Sequence, residues 1–424
     1  MYRLQIAVVL AGMVFLLIGC NNHSIIDGTP SIVAPSKEDR EVVVWHTYSE
    51  EESKVFENEI IPLFEKQHPH IDVKPVRQSY NEQLKWTLIA RASAKKTPDV
   101  VRMDIAWLPF FASMGQVYPV SDFADFKNIK EKLLEAPLQS NFYKGKYYGL
   151  PLNTNTKTAI YNKKLLREAG YSKPPSKIED LLKLIQHHGY RIGLTGYSTW
   201  ETLPYFYGFG GTLLSPDHTK AEGYLNSEAS INAIEKIRLL FNSSSLTATR
   251  LTGYTDTWEG IVNGDYFMMD EGPWFYSVQS PKKLNEITDN TISAPFPVTE
   301  GKGSLLGGEN LVIMKGARNP EESWTFVKWM ASREPQRLMF KTGLMPTIKE
   351  FTIQESTNRS NYIGSYIDGL ETAFLRPPVA EWDEIDKIYS KYLRMIVLER
   401  VSIKKGLTMA AEEIDSILID KKGR

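Results

Sequence analysis

Apolar and polar positions after residue 40 follow first a strand-like pattern and then a helix-like one. Residues 41–46 form a β-branched run that ends in Trp45 and His46, which predicts a buried parallel strand. Ser49 is followed by three glutamates, a sequence typical of a helix N-terminus. Apolar residues then recur at helical spacing as far as Phe64, so we expect a helix directly after the first strand.

The same alternation continues along the chain. Residues 71–76 and 98–104 predict two more strands, and the amphipathic segment 83–94 predicts a helix between them. Strands that alternate with helices predict a doubly wound α/β fold with a parallel sheet. Further helices are predicted at 163–169, 178–186, 230–241, 324–331 and 335–341, with a strand at 311–314 and a helix-rich tail at 382–419.

The single cysteine, Cys20, directly follows an apolar run near the N-terminus. That run, residues 6–18, is shorter than the roughly 20 residues that span a bilayer, which disfavours the alternative of a transmembrane anchor. The tetrad Leu-Ile-Gly-Cys that ends at Cys20 resembles the lipobox of bacterial lipoproteins, whose cysteine thiol is acylated. We therefore predict a signal peptide at 1–19, lipidation of Cys20, and a polar, flexible tether at 20–40.

Composition and charge exclude several classes of protein. The net charge is −1 and no long block of one sign occurs, which removes the electrostatic case for a nucleic-acid partner. Cys20 is the only thiol, so disulfides and cysteine metal sites are excluded. His187 and His188 follow a predicted helix, and we expect them on its surface rather than on a metal. We predict no metal and no cofactor. The roughly 380 residues after the tether predict two lobes rather than one core.

Polar and aromatic residues directly follow two of the predicted strands. Ligands of doubly wound sheets bind at the carboxyl ends of the strands. Three residues at the end of the first strand, His46, Tyr48 and Glu50, are therefore predicted to face a cleft, together with Asp104 and Trp107 after the third. Glu50 has an alternative role at the helix N-terminus, where the helix dipole favours a carboxylate.

Several short blocks follow one another along most of the chain. They are Trp45-His46 with its glutamates, residues 97–107, 145–152, 161–164, 263–274, 307–308 and 343–346. In this order they resemble the carbohydrate-binding family of extracellular solute-binding proteins of ABC importers, the maltose-binding-protein-like family. Each block alone is a weak signal, whereas their common order and lobe-sized separations are specific.

The resemblance implies the domain organisation. It implies a type II periplasmic-binding-protein-like fold, in which two α/β lobes are joined by three hinge crossovers and close on a sugar. The crossovers are expected near 150–155, 293–299 and 343–348. Lobe 1 then comprises 41–149 plus 301–344, and lobe 2 comprises 150–300 plus 345–424.

The resemblance also implies an aromatic and polar sugar site. Trp274 closes a Gly-Pro-Trp block that in the family brings an indole to the sugar, and Trp200 precedes a Gly-Gly turn. Gly308 permits close backbone approach and Glu309 can accept hydroxyl protons, with a tight turn as the alternative. Arg376 lies in a late family block and is predicted to reach the cleft, the alternative being a surface arginine. For the tryptophans the alternative is packing in a core.

The resulting hypothesis is a monomeric binding protein on the extracellular face of the cell membrane, anchored there through lipid. It would bind an oligosaccharide and deliver it to ABC permease subunits without making or breaking a bond. One alternative is a surface glycoside hydrolase or lyase, although adjacent carboxylates such as Asp270 and Glu271 rarely converge on one bond. The chain has no sequence motif for nucleophilic, phosphoryl or metal chemistry. The other alternative is a sugar sensor that acts with a membrane histidine kinase.

Overall fold

The strand predicted at residues 41–46 is present in the computed structural model, which describes residues 40–249, 253–298, 302–351 and 362–420. The strands of the described part are β1 (Glu41–His46), β2 (Asp72–Arg77), β3 (Val100–Asp104), β4 (Phe142–Tyr143), β5 (Lys146–Tyr147), β6 (Leu150–Thr156), β7 (Thr158–Asn162), β8 (Ile192–Leu194), β9 (Leu246–Ala248), β10 (Met268–Glu271), β11 (Thr291–Ala294) and β12 (Leu306–Ile313).

Ten of these strands form two five-stranded sheets, and β4 pairs with β5 in a separate two-stranded sheet. The first sheet has the order β2-β1-β3-β12-β6, and the second has the order β11-β7-β10-β8-β9. In the first sheet β1 is parallel to β2 and β3, as predicted, whereas β12 is antiparallel to β3 and β6. In the second sheet β8 is parallel to β9 and β10, and β7 is antiparallel to β10 and β11. The predicted α/β class is confirmed, with sheets that are mixed rather than wholly parallel.

Helices connect and flank the strands. The α-helices are α1 (Glu50–Val55), α2 (Ile61–Gln67), α3 (Glu82–Ser93), α4 (Leu108–Ser113), α5 (Phe126–Lys130), α6 (Glu135–Gln139), α7 (Lys163–Glu168), α8 (Ile178–His188), α9 (Thr199–Gly208), α10 (Glu228–Asn242), α11 (Thr257–Asn263), α12 (Trp274–Ser277), α13 (Pro281–Asn290), α14 (Pro320–Met330), α15 (Arg333–Phe340), α16 (Ile363–Gly369), α17 (Trp382–Val397) and α18 (Ile403–Asp420). A π-helical turn, Phe56–Ile60, joins α1 to α2.

The helix after β1 begins as its sequence predicts. The Glu52 backbone N–H donates to Ser49 Oγ at 3.3 Å, and the Ser49 backbone N–H donates to the Glu52 carboxylate at 2.8 Å. This reciprocal capping box satisfies backbone donors that lack a partner within the helix. Phe56 and Phe64 then pack into the core beneath the first sheet, which fits their helical spacing.

The first sheet is buried on both faces, which explains the continuous apolar run of β1. Val42 and Val44 belong to one hydrophobic cluster, and Trp45 belongs to the cluster on the opposite face with Leu88 of α3. Successive side chains of a strand point to opposite faces, so a strand between two layers needs apolar residues at every position. A larger cluster covers the second sheet with residues of α8, α10, α17 and α18.

The chain passes between the two sheets at defined points. Lys157 is the single residue between β6 and β7, which belong to different sheets. The segment between β11 and β12 returns the chain to the first sheet. Met345 makes an isolated bridge to Thr154 in the region of the third predicted crossover. The predicted boundary at 150 falls at the first residue of β6, a strand of the first sheet, and the division into lobes stays a prediction.

Residues 1–39 contain the predicted signal peptide, Cys20 and nearly all of the tether, and they lie outside the described residues. Among the helices of the described part, none combines the length and apolarity needed to cross a membrane.

Candidate functional site

A groove of three adjoining cavities lies at the carboxyl ends of β1, β2 and β3. The largest cavity, about 830 Å³, adjoins a second of about 570 Å³, with which it shares Tyr80, Asn155, Trp274 and Glu309 as lining residues. A third cavity of about 410 Å³ continues from the second. The groove agrees with the rule that doubly wound sheets bind ligands at strand ends.

Arg102, on β3, organises the polar side of the largest cavity. One guanidinium nitrogen lies 2.9 Å from Glu309 Oε2 on β12, and another donates to Thr47 Oγ1 at 2.6 Å. Asn153 Nδ2 donates to Glu309 at 2.6 Å, and the Tyr48 ring lies 4.5 Å from the guanidinium. Burial raises the pKa of Glu309, and the Arg102 charge opposes that rise. The cluster offers a ligand donors and acceptors that are already held in place.

Asp104, at the end of β3, organises the next part of the groove. Tyr80 Oη donates to Asp104 at 2.6 Å, and the Tyr80 ring stacks on Trp107 with ring centres 5.9 Å apart. Asp104 also accepts from the Ala106 backbone N–H at 2.7 Å and lies 3.9 Å from an Arg376 nitrogen. The Asp104 charge raises the pKa of Tyr80 well above its usual value, so the phenol keeps its proton. Carboxylate, phenol and guanidinium thus meet beside an indole.

Two indoles face these polar groups from the elements of the second sheet. Trp200 of α9 and Trp274 of α12 stack with ring centres 6.1 Å apart, and the Arg376 guanidinium lies 5.1 Å from the Trp200 ring centre. A Cβ at Gly272 would lie 2.2 Å from the Trp274 ring, so only glycine leaves room for this indole. A Cβ at Gly307 would lie 3.2 Å from Trp200, which therefore approaches the β12 backbone closely.

The structure brings most of the residues predicted for the site together. The predicted residues that line the groove are Tyr48, Asp104, Trp107, Trp200, Trp274, Gly308, Glu309 and Arg376. At Gly308 φ is +134° and a Cβ would lie 2.3 Å from the Asn153 carbonyl oxygen, so the close approach predicted there requires glycine.

Two predicted residues lie elsewhere. His46 is 1 % exposed and packs against the Tyr48 and Phe56 rings, because it shares the inward parity of Val42 and Val44 in β1. Burial, with the charges of Arg102 and Arg77, lowers the pKa of His46 to about 4, so the imidazole is neutral despite a Glu57 oxygen 3.6 Å away.

Glu50 is exposed in the first turn of α1 and pairs with Lys54 at 3.3 Å. Its position fits the alternative interpretation, a carboxylate at the helix N-terminus, rather than a residue of the groove. Glu52, two residues further, lines the largest cavity instead.

Tyr80, Arg102 and Asn155 are among the lining residues that the sequence-based prediction omitted. Tyr80 follows the carboxyl end of β2, so the rule that selected the loops after β1 and β3 also selects this loop. Arg102 is a charged residue between the apolar residues Val101 and Met103 of β3, which is a signal for a buried functional pair. Asn155 has no local signal, because its place depends on the pairing of β6 with β12.

Comparison with known proteins gives one family and several relatives. Residues 48–337 match the family model of the bacterial extracellular solute-binding protein. A maltotriose-binding protein of Pyrococcus abyssi is 24% identical over 79% of this chain and 73% of the relative. The maltodextrin-binding protein MdxE of Bacillus subtilis is 24% identical over 79% of this chain and 81% of its own length.

Solved structures show the same fold. The GacH receptor of Streptomyces glaucescens, described unliganded and with acarbose, has a TM-score of 0.74 and 26% identity over 90% of this chain and 98% of its own. The sugar-binding protein MalE of Xanthomonas citri has a TM-score of 0.78 and 22% identity over the same shares of the two chains. The predicted type II periplasmic-binding-protein fold is confirmed.

Proposed function

This chain belongs to the family of bacterial extracellular solute-binding proteins, and on that premise we propose that it binds an oligosaccharide for an ABC importer. The observation that carries the proposal is the pair of indoles, Trp200 and Trp274, opposite the Arg102–Glu309 and Asp104–Tyr80 pairs across one groove.

A sugar matches this groove in both of its chemical aspects. The faces of a pyranose ring are apolar C–H surfaces, which pack on indoles and remove apolar area from water. Its edges are hydroxyl groups, which both donate and accept hydrogen bonds. Glu309 and Asp104 supply acceptors and Arg102 supplies donors, so hydroxyls of a bound sugar can replace the water that these groups lose.

The extent of the groove supports an oligosaccharide over a single sugar. Its largest cavity of about 830 Å³ lies within the 300 to 1,000 Å³ typical of small-molecule sites, and two further cavities adjoin it. The names of the Pyrococcus abyssi and Bacillus subtilis relatives, maltotriose-binding and maltodextrin-binding, support glucose oligomers as the first ligands to test.

We further propose that Cys20 carries lipid and tethers the protein to the extracellular face of the membrane. The tetrad that ends at Cys20 and the extracellular family support this proposal. A tether raises the local concentration of the loaded protein near its permease.

Isothermal titration and thermal unfolding with a panel of sugars test the function. The panel contains maltotriose, longer maltodextrins, galacto-oligosaccharides and arabino-oligosaccharides. We expect one class to bind and to stabilise the protein by about 2.7 kcal/mol when the free ligand is at 100 times its Kd. Chromatography of the sugar after incubation should show the input sugar unchanged. Absence of binding across the panel would refute the sugar assignment, and shortened products would support the hydrolase alternative.

A further inference from the structure

Lys157 is a fully buried cation at the passage between the two sheets. It is the single residue between β6 and β7, and its side chain is 1% exposed. Its Nζ pairs with Asp270 of β10, whose side chain is 0% exposed, and lies 3.9 Å from Glu201 of α9. A buried lysine is costly unless a partner compensates its charge, so this pair ties the passage residue firmly to the second sheet.

The carboxylates around Lys157 outnumber it. Asp270, Glu201 and Glu271 all act on the Lys157 charge. Asp270 accepts from Tyr205 Oη at 3.0 Å, and Glu271 accepts from Trp258 Nε1 at 2.9 Å. The Glu201 side chain is 14% exposed and Glu271 is half-buried, whereas the Asp270 side chain is fully buried. One cation cannot neutralise three buried carboxylates, so the cluster favours a proton on one of them.

The cluster lies directly behind the groove. Lys157 Nζ is 5.4 Å from the centre of the Trp200 ring, and Glu201 is the next residue of the same helix. Trp200 in turn lines two of the cavities and stacks on Trp274. Asn155, two residues before Lys157 on β6, lines the groove as well. Lys157 therefore lies behind the Trp200 indole and does not itself line the groove.

We propose that Lys157, held by Asp270 and Glu201, is a positioning residue that fixes the Trp200 indole for ligand binding and couples this indole to the passage between the two sheets. The inference rests on the proposed function, because Trp200 matters only if a ligand packs on it. The cation attracts the electron-rich face of the indole, and such contacts gain strength where water is excluded.

The arrangement makes ligand affinity depend on pH through Glu201. Burial raises the pKa of Glu201 to about 7; Lys157 opposes the rise, whereas Asp270 and Glu271 add to it. A ligand on Trp200 removes further water from beside Glu201 and penalises the ionised form again. The loaded protein then holds this proton to a higher pH than the free protein does. Binding therefore takes up a proton, and affinity decreases as the pH rises through about 7.

Charged and titratable groups face this region from several elements. In addition to Glu201 they are Lys157, Tyr161 of β7, Tyr205 of α9, Asp270 and Glu271 of β10, Arg376, and Asp386 of α17. The tyrosines have pKa values raised by burial and stay neutral around pH 7. Glu201 is therefore the group whose charge we expect to change between pH 6 and 8.

Titrations with maltotriose at pH 6, 7 and 8 test the inference, with the tightest sugar of the panel as the probe if maltotriose does not bind. Wild-type Kd should rise by about threefold to tenfold over this range. Glu201→Gln should show a Kd that does not change with pH. Lys157→Met should weaken binding at pH 6 by about tenfold. The affinity of this variant should also decrease at a higher pH than that of the wild type, because Glu201 loses the cation that favours its ionised form.

A control variant and the Glu201→Gln profile keep the test decisive. Lys163→Met removes a half-buried lysine that donates to the Thr288 carbonyl away from the groove, and it should retain the wild-type Kd and pH profile. If Lys157→Met does not fold, the Glu201→Gln profile decides alone. A wild-type Kd that is constant from pH 6 to 8, or a Glu201→Gln profile that matches the wild type, overturns the inference and leaves the proposed function intact. Absence of sugar binding by the wild type would instead refute both.

Discussion

The Lys85 ammonium of α3 pairs with the Asp383 carboxylate of α17 at the edge of the groove. Helix α3 packs on the first sheet through Leu84 and Leu88, whereas α17 packs in the cluster of the second sheet. Lys85 also lies 4.5 Å from the Phe110 ring centre. The ion pair therefore joins two helices that pack on different sheets, at the edge of the groove.

Loss of this pair should loosen the groove more than it destabilises the fold. We expect Asp383→Asn to lower the free energy of unfolding by about 1 kcal/mol, because the pair is partly exposed, and to raise the Kd for sugar several-fold. Small-angle scattering should show a larger radius of gyration for the variant. Lys391→Met, which breaks a pair with Glu413 within α17 and α18, is the control and should change neither Kd nor radius. Equal effects of both variants would contradict the role of Lys85 and Asp383.

Trp200 and Trp274 should carry much of the binding energy. We expect alanine at either position to raise the Kd by tenfold or more, since each truncation removes an aromatic surface worth about 1 to 3 kcal/mol to a stacked ligand. The melting temperature should change little, because both indoles are only half-buried. Trp86, on α3 and 60% exposed, provides the matched control, and Trp86→Ala should bind as the wild type does. Titration calorimetry measures all three.

Gly272→Ala should act on the ligand through Trp274. The added Cβ would lie 2.2 Å from the indole, so the ring must move out of its position. We expect a loss of affinity close to that of Trp274→Ala, together with a change in intrinsic tryptophan fluorescence. Gly196→Ala is the control, because a Cβ there meets nothing within 4 Å. Wild-type affinity of Gly272→Ala would show that the position of the Trp274 ring is not needed.

His46 should make the protein less stable in weak acid. Burial lowers the pKa of His46 to about 4, whereas an unfolded histidine titrates near 6.5. The unfolded chain thus binds more protons between these values, and stability decreases as the pH falls through this range. The contribution that is lost amounts to about 3 kcal/mol at pH 4.

His46→Phe keeps an aromatic ring beside Tyr48 and Phe56 and removes the titration. Urea unfolding at pH 4 and pH 6.5 should therefore show a smaller loss of stability for the variant than for the wild type. An equal loss in both proteins would place the acid sensitivity at other groups.

Cys20→Ser should release the protein from the membrane. The thiol is the proposed site of lipid attachment, and a serine cannot form the thioether. We expect the variant in the culture medium with unchanged sugar affinity, as measured by cell fractionation and titration. A variant that stays with the membrane would indicate that the apolar run at 6–18 is the anchor.

The sequence predicted many helices and strands correctly, because their signals depend on residues that are close together in the chain. The β-branched run placed β1 at its observed bounds, and Ser49 with the glutamates after it predicted the helix N-terminus at which a capping box forms. The order of strands and helices likewise indicated the α/β class and the edge at which the groove lies. Strand pairing across long separations did not follow from local rules, so the antiparallel insertion of β12 beside β3 was not predicted.

The sequence by itself thus determined the elements, the family and several aromatic and acidic residues of the groove. Only the tertiary structure decided which side chains meet there. His46 and Tyr48 differ by two positions near one strand end, yet His46 lies wholly in the core while Tyr48 contacts the groove. Lys157 carries no sequence signal, and its burial against Asp270 and Glu201 requires three distant segments to pack together. Such contacts depend on packing between elements, which no local periodicity encodes.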